Sequence, residues 1–127
     1  GLGRGIKWES IRKMVNKEKV DMLCLQETKK ETIDKSVCQA IWGDSDVSWE
    51  FQPAVNSAGG LLCVWSGVTF KLEKKVVGNG FIFMEGIWAA ADVRVSIVNV
   101  YSSWEAATKN FIGGNKTVEK WKYGGSL

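Results

Sequence analysis

The 127-residue sequence contains no histidine. That absence removes a histidine-ligated metal, a Ser-His-Asp triad and a Cys-His pair at once. Cysteine is scarce: Cys24, Cys38 and Cys63 form an odd set with no C-x-x-C spacing, which argues against a zinc site or a disulfide framework. Cys24 and Cys63 lie inside apolar runs, where a free thiol behaves as a small buried hydrophobe. The set points to a reducing, intracellular compartment. Lysine and arginine are missing from residues 36–70, which leaves Phe51 to Phe70 uncharged over a membrane-spanning length. Gln52, the single proline Pro53, Asn56, Ser57, Gly59 and Gly60 interrupt it, so it reads as strand, turn and strand, not as a membrane helix. The first residues are glycine-rich and charged, without the apolar core of a signal peptide.

What is present is enough for one folded domain. The chain is 45% hydrophobic with seven tryptophans, which excludes a disordered segment. It opens on Gly1, and the expectation is a piece of a longer reading frame. The net charge is +3, and nine lysines and arginines fall within residues 1–35. That bias suits contact with a phosphate backbone, and it equally describes a solvated helical face.

Periodicity supplies an alternating start. Trp8, Ile11, Met14 and Val15 predict an amphipathic helix over Ile6–Glu18, with Lys7, Arg12, Lys13 and Lys17 facing elsewhere. A second helix is expected after Thr32 or Asp34 as cap, with Ile33, Val37, Ala40 and Ile41 on its buried face. Gly43-Asp44-Ser45-Asp46 lacks the ligand pattern of a calcium loop and reads as a turn. Strands are expected next at Trp49–Pro53, Leu61–Trp65, Phe70–Val77, Phe81–Trp88 and Val93–Tyr101, with a hairpin turn at Gly78-Asn79-Gly80. The segments Val20–Gln26, Leu61–Trp65, Phe70–Val77, Phe81–Trp88 and Val93–Tyr101 are expected to share one twisted sheet with the first helix outside it. Beyond Ser103 the chain changes character, with a possible short helix over Trp104–Phe111 and then Lys- and Gly-rich residues expected to be loosely ordered.

Two places stand out as candidate sites. Met22 to Leu25 is a short continuous apolar run, right for a strand covered on both faces, and it ends abruptly on Gln26-Glu27-Thr28-Lys29. A carboxylate just past the carboxyl end of a strand can serve a hard cation such as Mg²⁺, or can simply belong to a solvated loop. In Val93–Tyr101, alternation puts Val93, Val95, Ile97, Asn99 and Tyr101 on one side, so Asn99 and Tyr101 emerge together at the strand end. Those two read as an edge aromatic with a hydrogen-bonded asparagine, or as part of a site.

Gly1-Leu2-Gly3 with the following basic helix, Val20 to Lys30, Cys38 to Gly43, Ser57 to Leu62 and Ile97 to Ser102 resemble the endonuclease/exonuclease/phosphatase superfamily, in its order. Within it the chain looks most like the endonuclease domain of plant LINE-type retrotransposons. The resemblance implies an α+β fold, the N-terminal part of a DNase-I-like four-layer sandwich, and hydrolysis of DNA phosphodiester bonds with Mg²⁺ or Mn²⁺ in a nuclear setting. It implies that Glu27 binds the metal, that Tyr101 contacts the phosphate, and that Asn99 supports the same motif. Gly59-Gly60 matches a structural turn. The departures are an absent N-terminal metal-site Asn, an absent Gly-Asp-Phe-Asn motif after Tyr101, an absent terminal Asp-His pair, and Ser103 in place of the usual Pro. Residues 1–103 are therefore expected to form a partial domain and residues 104–127 a divergent tail. The expected activity of this chain alone is nil. A nucleic-acid-binding remnant and a phosphatase of the same superfamily are the alternatives.

Overall fold

The computed structural model describes residues 8–43, 46–56 and 58–101, together with the backbone of 111–114. Its centre is β1 (Met22–Gln26), buried at all five positions. Total burial follows from its place between two layers. β1 pairs antiparallel with β3 (Leu61–Ser66), Cys24 opposite Cys63, and β3 pairs antiparallel on its other side with β2 (Val47–Gln52). This first sheet has the order β1-β3-β2.

One face of the first sheet carries Leu23, Leu25, Leu62 and Val64 and receives the helices α1 (Trp8–Glu18), through Ile11 and Val15, and α2 (Lys35–Trp42), through Cys38 and Ile41. The i, i+4 spacing of Ile11 and Val15 supplies the stripe that α1 buries. Asp34 caps α2, its carboxylate accepting from the Val37 amide at 3.1 Å and from Ser36 Oγ at 2.8 Å. The cap falls on Asp34 and not on Thr32, so Ile33, Cys38 and Ile41 are buried while Ala40, expected on the buried face, is exposed.

The second sheet is a meander of β4 (Phe70–Gly78), β5 (Phe81–Trp88), β6 (Val93–Val100) and β7 (Phe111–Gly114), antiparallel throughout. The first hairpin closes on Asn79-Gly80, residues suited to a two-residue turn. Along β5, buried and half-buried residues alternate strictly, so Ile82, Met84 and Trp88 face inward. With Val95 and Ile97 they pack on the second face of the first sheet, against Met22, Cys24, Leu61, Cys63 and Trp65. Trp65 ties the connection between the sheets, its indole N–H donating to the Phe70 carbonyl at 3.1 Å and its ring meeting that of Phe70 edge-on. Burying side chains of this size contributes about 1.5–3 kcal/mol each.

The protein is thus a mixed α+β fold of two helices and two antiparallel sheets among the described residues. The expectation of one shared sheet is corrected: the chain leaves the first sheet after Ser66, and Phe70 starts a second sheet stacked on it. Alternation fixes which face of a strand is buried, but it does not say which strands pair. The outer placement of α1 agrees with expectation. Phe111, expected to end a short helix, begins β7 opposite Val98, because β6 offers it a free row of backbone donors and acceptors. Residues 104–110 lie outside the described residues. No described helix is long and apolar enough to cross a membrane.

β4 forms the outer margin of the second sheet. It exposes Lys71, Glu73, Lys74, Lys75, Val76 and Val77. Lys75 reaches across to β2, with Nζ 2.8 Å from a carboxylate oxygen of Glu50.

Candidate functional site

Glu27 is the first residue past β1, and its backbone is left-handed with φ 59°. Lys29 shares that conformation, also at φ 59°. Each such residue costs on the order of 1–2 kcal/mol, so the loop persists only because its surroundings hold it. The Thr28 and Lys29 amides donate to the Gly60 and Gly59 carbonyls at 3.3 and 2.8 Å, and the Ala54 amide donates to the Lys30 carbonyl at 2.8 Å. Thr28 is fully buried under this clasp, and its Oγ1 accepts from the Lys30 amide at 3.4 Å. The Gly59-Gly60 turn therefore seats the Glu27 loop.

Tyr101 arrives from the second sheet. Its amide donates to the Gly80 carbonyl at 2.8 Å, and the Gly80 amide in turn donates to Gln52 Oε1 at 3.1 Å. Gln52 ends β2, so this relay fastens the hairpin turn of the second sheet to the first. The Tyr101 hydroxyl donates to Glu27 Oε1. The bond stabilises the neutral phenol beside the Glu27 charge and raises the Tyr101 pKa from its ordinary value. A cavity of about 190 Å³ opens beside the ring, lined by Gln52, Pro53, Gly59, Gly60 and Gly80 among others.

Asn99 lies one layer deeper. It is completely buried, and Nδ2 donates to the Leu25 and Leu62 carbonyls at 3.2 and 3.3 Å and approaches Cys63 Sγ at 3.6 Å. Its Oδ1 is buried without a hydrogen-bond partner among the described residues. Asn99 thus clamps β6 to β1 and β3, two residues before Tyr101 on one strand and two before Glu27 on the other. It holds the site residues in place from below and presents nothing to solvent.

The structure therefore brings Glu27 and Tyr101 into contact at one edge and sets Asn99 beneath them. Gln52 and Gly80 complete the edge and were not singled out by the sequence; the only signal for either was the turn at Gly78-Asn79-Gly80. Chemically, the edge offers one carboxylate, one phenol and a neighbouring cleft. A Mg²⁺ or Mn²⁺ ion would find the hard oxygen donor it prefers in Glu27. Among the described residues, no group of three or more Cys, Asp or Glu side chains gathers that could hold a metal ion. No family model, curated protein or solved structure matches the chain.

Proposed function

We propose that this chain is part of a phosphodiesterase domain of the endonuclease/exonuclease/phosphatase type, of LINE-type retroelement origin, whose parent domain acts on DNA. The observation that carries the reading is the bond from the Tyr101 hydroxyl to the Glu27 carboxylate, made by residues 74 positions apart in sequence. In this reading Glu27 would hold a Mg²⁺ or Mn²⁺ ion, which would supply charge stabilisation to a backbone phosphate, and Tyr101 would turn its hydroxyl to a phosphoryl oxygen. With a lone carboxylate and no histidine in the sequence, the chain itself holds phosphate without activating water.

Two measurements test this. The Tyr101 and Glu27 resonances should shift when Mg²⁺ and a short DNA duplex are added together, and not in Glu27→Gln. Absence of any shift at millimolar ligand would sink the site. Supercoiled plasmid with Mg²⁺ or Mn²⁺ should show the same background nicking for the chain and for Glu27→Gln. Metal-dependent nicking confined to the unsubstituted chain would overturn the inactivity while keeping the site.

A further inference from the structure

Cys24 and Cys63 stand directly opposite each other on β1 and β3. Opposed residues of antiparallel strands have Cα atoms about 4.5–5.5 Å apart, within the roughly 4.4–6.8 Å that a disulfide spans. Both side chains point to the same face, into the core between the sheets, and both are fully buried. The two thiols are hydrogen-bonded to each other, and this bond, followed by burial, raises the Cys24 pKa well above its ordinary value. Asn99 Nδ2 approaches Cys63 Sγ at 3.6 Å, so two donors converge on the Cys63 sulfur. Cys38 is a built-in control. It lies on the other side of the first sheet, among the helices, and burial, with help from the Asp34 charge, pushes its thiol up to about 12.

We propose that Cys24 and Cys63 are a redox-active pair that closes into a cross-strand disulfide between β1 and β3. With hydrogen peroxide as oxidant, the Cys63 sulfur attacks one peroxide oxygen, the O–O bond breaks, and the departing oxygen takes the thiol proton and leaves as water. The Cys24 sulfur then attacks the Cys63 sulfenic acid, forming the S–S bond and breaking S–O, and the second oxygen leaves as water with the Cys24 proton. Two thiols are oxidised, one peroxide is reduced, and two waters form. Cys24 lies three residues before Glu27 and Cys63 three after Gly60. The bond therefore shackles the two strands that carry the Glu27 loop and the turn that seats it. Strand register and thiol contact define this pair independently of any phosphodiesterase activity.

The experiment treats the whole chain with hydrogen peroxide, folded in buffer and unfolded in urea, then alkylates free thiols and maps disulfide-linked peptides. Burial makes the folded reaction slower, but it should yield the Cys24–Cys63 link alone, with Cys38 alkylated, a mass lower by two hydrogens, and reversal by dithiothreitol. The unfolded chain should give all three pairings. The oxidised protein should melt about 10 °C higher, since the bond closes a long loop. The proposal is overturned if the folded chain gives Cys38-containing links in the unfolded proportions, or still carries three free thiols once prolonged peroxide treatment has brought its oxidation to a plateau. A lower melting temperature of the oxidised form would overturn it as well.

Discussion

Gly60 faces Thr28 with no room for a β-carbon between them. A methyl group on Gly60 would collide with Thr28 Oγ1 and lie 3.4 Å from the Lys29 amide, at a backbone φ of 99°. Gly59, with φ 76°, has open space where its β-carbon would stand. Gly59→Ala should therefore cost only the left-handed backbone term, about 1 kcal/mol. Gly60→Ala should cost about 2–3 kcal/mol, because the clash adds to that term at a buried clasp. Urea midpoints decide between them, and equal midpoints would refute the clasp.

Asn99 gives the second expectation. Asn99→Asp replaces a donor to two main-chain carbonyls with a carboxylate facing them, in a fully buried place. The loss at neutral pH should be about 3 kcal/mol. Burial raises the folded-state pKa of such an aspartate, so its neutral form is favoured and part of the loss should return as pH falls. A loss independent of pH between neutrality and acid would show that the amide is not clamping those carbonyls.

How much of this could be read from the chain differs by residue. The both-face burial of β1 and β3 was legible, because Met22 to Leu25 and Leu61 to Trp65 are unbroken apolar runs. The split into two sheets was not legible: Phe81 to Met84 is an equally unbroken apolar run, and only the structure shows that alternate residues of β5 are buried. The side of β6 that Asn99 shares with Val95 and Ile97 was legible, but its complete burial was not: alternation has it emerge at the strand end beside Tyr101, and of the two only Tyr101 is exposed. The left-handed backbone at Glu27 was not. A glutamate has no preference that announces φ 59°; the conformation is imposed by hydrogen bonds to Gly59 and Gly60, more than thirty residues away.

Tyr101 provides a titration. Its hydrogen bond to Glu27 raises its pKa, so the stability this bond brings is complete below the ordinary tyrosine value of about 10 and disappears as pH rises through the elevated one. The sequence has two tyrosines, Tyr101 and Tyr123, and subtracting the phenolate absorbance of Tyr101→Phe isolates the first. In Glu27→Ala the Tyr101 midpoint should fall toward the ordinary value. A midpoint unmoved by Glu27→Ala would dissolve the pair.

Asp34 should respond in the opposite sense. The Val37 amide, then Ser36, lowers its pKa below the usual carboxylate range, so the cap strengthens α2 above that range and is lost as pH falls through the depressed value. Asp34→Asn keeps a capping oxygen without a titrating group. Acid should therefore weaken the unsubstituted chain more than Asp34→Asn, read as the difference in melting temperature at neutral and acid pH. Parallel decline of the two would exclude the cap as the acid-sensitive element.

The outer strand β4 has a bearing on solubility. A nine-residue edge with Val76 and Val77 in the open is a template on which another chain could add a strand. Lys71 and Lys74 punctuate that template, and an incoming strand would have to strip water from their ammonium groups to settle against it, while Lys75 is already held by Glu50. These lysines act as gatekeepers against edge-to-edge assembly. Charges at this density raise the cost of strand addition along a long outer margin.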